Sequence, residues 1–150
     1  MKVSASDIKK LREMTSAGFA DCKQALEAAS GDLKKAEEIL KEKGIAKAAK
    51  KGDRATGSGV VETYVHLNGR IGVAVALLCE TDFVARTDEF KNLAHEIAMQ
   101  IAAMNPESKD ELLKQDYIRD GGKTIEGLIK EAIAKLGENI QLGEFSRIAI

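Results

Sequence analysis

Val60-Val61-Glu62-Thr63-Tyr64-Val65-His66-Leu67-Asn68-Gly69-Arg70-Ile71-Gly72-Val73-Ala74-Val75-Ala76-Leu77-Leu78-Cys79 is the stretch whose reading decides the fold. Two strand-patterned runs, Val60 to Leu67 and Arg70 to Cys79, flank Asn68-Gly69. That dipeptide is the strongest short hairpin signal, because both central positions of a type I′ turn need φ > 0. The second run is apolar or small on both alternating faces, so burial on two sides is expected of it. Its apolar core, Ile71 to Cys79, is far short of the roughly 20 residues needed to cross a bilayer as a helix.

Downstream of the hairpin the period becomes helical. Thr87, followed by Asp88 and Glu89 in the favourable first turn, opens a long helix. Its stripe is Phe90, Leu93, Ala94, Ile97, Ala98 and Ile101, and Asn105-Pro106 ends it. Ser108 and Glu111 form a capping box for a more polar helix reaching about Arg119, broken by Asp120-Gly121-Gly122. Ile125, Leu128, Ile129, Ala132, Ile133 and Leu136 mark a further amphipathic helix stopped at Gly137, and Ile140 to Ile150 reads as a last strand. Strand, strand, helices and strand make an α+β core: a small three-stranded antiparallel sheet packed by helices.

Upstream, Ala46 to Gly59 is Lys-, Ala- and Gly-rich and reads as a linker, dividing the chain into a domain at 1–52 and a core at 53–150. The first domain reads as three short helices. Ser4 caps the first, with Val3 and Ile8 at the positions of a hydrophobic staple. The second runs from about Phe19 to Ala29. The third is capped by Asp32, carries Leu33, Ala36, Ile39 and Leu40, and is closed by Gly44.

The 150 residues are 44% hydrophobic and 31% charged, with 23 Lys/Arg against 24 Asp/Glu. A soluble, cytoplasmic globular protein is expected, with no secretory signal in Met1 to Asp7. A net charge of -1 argues against coating nucleic acid. Charge is unevenly spread: residues 1–56 carry 13 basic against 9 acidic side chains, and 57–150 carry 10 against 15. The basic run Lys47, Lys50, Lys51 and Arg54 lacks the interleaved aromatics of a single-strand platform. It reads as a solvated linker or as a contact for an acidic surface. Cys22 and Cys79 make neither a disulfide framework nor a metal cluster, and neither carries the local signature of a cysteine hydrolase. No glycine pattern matches a phosphate-binding turn. No catalytic residue, metal or cofactor is expected.

Cys79-Glu80-Thr81-Asp82-Phe83-Val84-Ala85-Arg86 departs from this pattern. Phe83 and Val84 are apolar on a connection between a buried strand and a helix cap. Either Phe83 folds back under the sheet, or it is a presented aromatic anchor of the kind that dominates interface energetics.

Leu11-Arg12-Glu13-Met14-Thr15-Ser16-Ala17-Gly18-Phe19-Ala20-Asp21-Cys22-Lys23-Gln24-Ala25-Leu26 closely resembles the N-terminal signature of the bacterial elongation factor Ts family. Thr81-Asp82-Phe83-Val84-Ala85-Arg86 resembles its second signature, and Leu136-Gly137-Glu138-Asn139-Ile140 a third. The likeness is to the short, single-core form. It implies a ubiquitin-associated-like bundle that docks on elongation factor Tu through Arg12, Phe19 and Ala20. It also implies a core whose Thr81, Asp82, Phe83 and Val84 press beside the partner's magnesium site, so that magnesium is dislodged, GDP leaves and GTP can bind. Lys51, Leu136 and Gly137 are the remaining partner contacts it implies, with no direct contact to nucleic acid or membrane. Where many short members have an arginine pair this chain has Gly143-Glu144, and where some have a cysteine it has Ser146. A sheet covered on one side only implies a homodimer, here without a disulfide at that position. Two other readings stand beside exchange: an adaptor that uses the N-terminal bundle, and a thiol enzyme built on Cys79.

Overall fold

In the computed structural model, which describes residues 3–150, helix α1 (Ala5–Thr15) begins at Ser4, whose hydroxyl accepts from the Asp7 N–H at 3.1 Å. Helix α2 (Phe19–Ala28) follows a three-residue connection, Ser16-Ala17-Gly18. Helix α3 (Leu33–Lys51) is capped by Asp32, whose carboxylate accepts from the Lys34 and Lys35 N–H groups. Ile8, Leu11, Cys22, Ala25, Leu26, Ala29, Ala36 and Leu40 form the bundle core, with Val3 packed against it as a staple residue should be. Met1 and Lys2, which open the 1–52 domain read from the sequence, lie outside the described residues.

Gly44 does not close α3. The helix continues through it to Lys51, into the stretch expected to be linker. Ala46 to Lys51 are all strong helix formers, and one interior glycine costs only about 1 kcal/mol against alanine. By contact density the chain divides into two units, Met1–Lys50 and Lys51–Ile150.

The second unit is built on strands β1 (Ser58–His66) and β2 (Ile71–Cys79), paired antiparallel from Ser58↔Cys79 to His66↔Ile71. Asn68 and Gly69 both take positive φ, and the Arg70 N–H donates to the Leu67 carbonyl, as a type I′ turn requires. Leu67 is itself left-handed (φ 52), so the ladder stops one residue earlier on each side than the pattern suggested. At Gly59 (φ +155) a Cβ would lie 2.2 Å from the Leu77 carbonyl oxygen, so this close strand approach needs glycine.

A one-turn helix α4 (Asp82–Ala85) leads to the long helix α5 (Asp88–Met104), capped by Thr87 accepting from the Phe90 N–H. Phe90, Leu93, Ala94, Ile97, Ala98 and Ile101 are all buried, and α5 lies against β1 and β2. Each of the larger side chains, Phe90, Leu93, Ile97 and Ile101, contributes about 1.5–3 kcal/mol when fully buried, and the alanines less.

Helix α6 (Lys109–Lys114) is shorter than its pattern, and residues to Arg119 are not helical. Instead β3 (Asp116–Tyr117) pairs with β4 (Asp120–Thr124). The cause is Gln100, fully buried on α5. Its amide nitrogen donates to the Asp116 carbonyl at 3.0 Å, and its oxygen accepts from the Ile118 N–H at 3.0 Å. Those backbone groups are thereby satisfied outside a helix.

Helix α7 (Ile125–Leu136) and strand β5 (Ile140–Ala149) complete the unit. The sheet order is β1-β2-β5, all antiparallel, with a bulge where Gly143 and Glu144 stand opposite Ala76. A Cβ at Gly143 would meet the Ala76 Cβ at 2.9 Å. The fold is thus α+β. Burial of β2 on both faces is not found. Val73, Val75, Leu77 and Cys79 are buried on the side that faces α5, whereas Gly72, Ala74, Ala76 and Leu78 are only partly covered. On that open face Val61, Val65 and Ile148 are 66–74% exposed.

Candidate functional site: a presented aromatic turn

Thr81 leaves β2 in extended conformation and caps α4, its hydroxyl accepting from the Val84 N–H at 3.4 Å. Within that single turn the apolar residues separate. Val84 and Ala85 are buried, while Phe83 is 78% exposed. Of the two sequence readings for Phe83, the structure therefore has the presented one. Val84 serves the core and offers little surface, whereas Asp82 is exposed and pairs with Arg86 at 2.9 Å. That ion pair is solvent-facing and contributes little to stability.

The turn is held from across the unit. Gly137 takes the left-handed conformation (φ 79) that ends α7 and aims Glu138 back toward β2. One oxygen of Glu138 accepts from the backbone N–H groups of Glu80 (3.1 Å) and Thr81 (3.0 Å), and the other from the Thr81 hydroxyl (2.6 Å). The contact is reciprocal, since the Asn139 N–H donates to the Glu80 carboxylate at 2.7 Å. Asn139, 2% exposed, donates its amide hydrogens to the Gly52 and Arg54 carbonyls, and Arg54 lies 3.5 Å from Glu80. Lys51 donates to the Gly137 carbonyl at 3.0 Å. Among the residues expected at the site, Lys51, Thr81, Asp82, Phe83, Leu136 and Gly137 thus converge on one end of the second unit.

Glu80, Glu138, Asn139 and Arg54 were not expected there. The signal for them was weak: a Gly-Glu-Asn run after an amphipathic helix announces a helix stop, not a clamp on a turn 57 residues away.

In the first unit, Arg12, Phe19 and Ala20 are all exposed, together with Met14, around the α1–α2 connection. Phe19 and Met14 are large apolar side chains left 58% and 52% exposed.

Both cysteines are buried. Burial, and then the Glu138 carboxylate, push the Cys79 thiol above its ordinary pKa, and its Sγ donates to the Thr81 carbonyl at 3.1 Å. A nucleophilic thiol needs the opposite surroundings. His95 pairs with Glu62 at 3.1 Å and His66 with the Tyr64 hydroxyl at 2.7 Å, each on the hairpin side of the sheet. Among the described residues there is no group of three or more His, Cys, Asp or Glu side chains able to hold a metal ion. Among the described residues no helix is long and apolar enough to cross a membrane.

A small helical bundle and an α+β unit, each with an exposed aromatic beside charge, define a two-unit protein whose distinguishing sites are presented surfaces. Residues 80–150, which include the Glu138 clamp and the Phe83 turn, match the family model described as Elongation factor TS. Over the whole chain the sequence is 45% identical to Elongation factor Ts of Thermotoga neapolitana, the match covering 98% of that protein. It is 44% identical to that of Coprothermobacter proteolyticus over 98% of both chains, and 45% identical to that of Thermoanaerobacter sp. strain X514 over 97% and 93%. The chain belongs to the elongation factor Ts family, and so to the translation elongation factors. The Thermotoga neapolitana alignment runs over 193 positions against 150 residues here, which leaves at least 43 positions without a counterpart in this chain.

Proposed function

We propose that this chain is a guanine nucleotide exchange factor for elongation factor Tu. It binds the GDP form, dislodges magnesium and promotes GDP release so that GTP can enter. The observation that carries this reading is Phe83, largely exposed on a turn whose other apolar residues are buried. Magnesium bridges nucleotide phosphates to protein, so displacing it leaves those charges poorly compensated. In this reading Thr81, Asp82 and Phe83 act at the magnesium site, with Val84 as their anchor. Lys51, Leu136 and Gly137 supply core contacts, and Arg12, Phe19 and Ala20 dock the 1–52 domain on the partner. The chain contributes no catalytic group, metal or cofactor, works in the cytoplasm, and needs no direct contact with nucleic acid or membrane.

Burying a Phe side chain is worth about 1.5–3 kcal/mol, roughly tenfold to a hundredfold in an equilibrium. Docking by the other surfaces must therefore supply part of the distortion energy. The open sheet face supports a second element of the proposal. Val61, Val65 and Ile148 form an uncovered apolar surface, and twofold pairing of identical patches is the common way to cover one. The factor is proposed to work as a non-covalent homodimer through the 53–150 core.

Coupling between sites is reciprocal: a factor that weakens GDP binding must be weakened by GDP to the same degree. Gel filtration tests this. A complex with nucleotide-free elongation factor Tu that dissolves on adding GDP and magnesium is the expected result. A complex indifferent to nucleotide fits an adaptor and contradicts exchange.

A further inference from the structure

The geometry points to Glu138 as a positioning residue for exchange: its carboxylate fixes the turn that carries Asp82 and Phe83. This rests on the exchange reading above. With 78% of its surface exposed, the Phe83 ring has little packing of its own to set its direction. That direction is inherited from the backbone at residues 80–82. A helix of one turn cannot satisfy its own first N–H groups, and the local cap at Thr81 is long, at 3.4 Å. The bonds that hold the backbone N–H groups of Glu80 and Thr81 and the Thr81 hydroxyl are the three that Glu138 accepts, at 2.6–3.1 Å. Hydrogen bonds to an ionised acceptor are roughly twice as strong as neutral ones.

Glu138 is held in its turn. Gly137 sets the chain direction, and the Asn139 N–H bond to Glu80 closes a reciprocal pair of contacts between the β2–α4 and α7–β5 connections. The Glu80 and Glu138 side chains each accept from the other connection's backbone, so a shift of either one moves Thr81 and with it Phe83. A role confined to folding would lower stability and leave the folded variant exchanging at the normal maximal rate. A positioning role lowers the maximal rate, and does so only while the Phe83 ring is present.

The experiment uses the full chain in five forms: wild type, Glu138→Ala, Glu138→Gln, Phe83→Ala, and Glu138→Ala combined with Phe83→Ala. Release of fluorescent GDP from elongation factor Tu is followed over a range of factor concentrations. Amide hydrogen exchange is measured at residues 80–84 of the free chain. Glu138→Ala is expected to lower the maximal rate about tenfold, as a turn competent about a tenth of the time would. The half-saturating concentration should stay within about threefold, since the docking surfaces are intact. The Glu80 and Thr81 amides should exchange faster. Glu138→Gln should restore most of the rate, because its oxygen can take both N–H groups and its NH2 can donate to the Thr81 hydroxyl. The double variant should be no slower than Phe83→Ala alone.

A wild-type maximal rate for Glu138→Ala, or losses that multiply in the double variant, would overturn the inference while the exchange reading stands. Should Glu138→Ala fail to fold, Glu138→Asp keeps the charge and draws the carboxylate back by one methylene from all three donors. An unchanged maximal rate for that variant has the same force. If wild type itself leaves GDP release unaccelerated, the exchange reading falls and the positioning role with it.

Discussion

Phe83→Ala separates a presented ring from a core residue by two numbers that move in opposite directions. A fully buried Phe→Ala change costs about 3–5 kcal/mol. Phe83 is 78% exposed, so only about a fifth of that cost applies, or about 1 kcal/mol at most. For a chain of this size that lowers the melting temperature by about 2–4 °C. The interface side scales the other way. If the exposed part of the ring is what becomes buried against the partner, about 1.2–2.3 kcal/mol of a full burial is lost on truncation. That is roughly an eightfold to fiftyfold slower exchange. Thermal melting by circular dichroism reads the first quantity, and stimulated release of fluorescent GDP from elongation factor Tu reads the second. A variant that melts ten degrees lower yet exchanges at the normal rate refutes the reasoning, since Phe83 would then be holding the fold together and not engaging a partner.

Phe19→Asp should raise the half-saturating concentration about tenfold and leave the melting temperature unchanged, because Phe19 is exposed on the bundle; titrated exchange assays check it. Gly59→Ala should destabilise the second unit by several kcal/mol, on the order of the largest single-substitution effects, because its Cβ would fall 2.2 Å from the Leu77 carbonyl oxygen; a thermal melt decides. Burial, reinforced by the hydrogen bond to Glu96, pushes the Tyr117 hydroxyl up to about 12. A folded pKa above the unfolded one means the folded state holds the proton longer, so stability should fall as pH rises from 10 toward 12. Tyr117→Phe should flatten that loss in urea titrations at alkaline pH. Val65→Asp on the open sheet face should shift sedimentation equilibrium from a dimer to a single 16.2 kDa species; a wild-type chain already monomeric at tens of micromolar would remove the dimer from the proposal.

Features decided within a few residues were legible in the sequence. The Asn68-Gly69 turn, the caps at Ser4, Asp32, Thr87 and Ser108, and the buried stripe of α5 all follow from local chemistry and periodicity. Features decided by a distant partner were not. Gly44 reads as a stop, yet α3 passes through it because the residues that follow favour helix. The β3–β4 hairpin depends on Gln100, a polar residue on an otherwise apolar helix face that bonds backbone 16 and 18 residues away. The open face of β2 is a matter of what covers the sheet, and Ala74, Ala76 and Leu78 read alike with or without a cover. At the candidate site the sequence left two readings of Phe83 open, folded back under the sheet or presented. The turn of α4 decides between them, and the clamp from Glu138 spans a separation that no local pattern carries.

Exchange by this chain is tested most directly by the rate at which elongation factor Tu preloaded with fluorescent GDP releases it into excess unlabelled nucleotide, with and without the full chain. Release should accelerate with added chain, saturate, and weaken as free magnesium is raised, since magnesium restores the bridge that the Asp82-Phe83 turn is proposed to displace. A release rate that stays flat up to tens of micromolar chain would contradict the proposal.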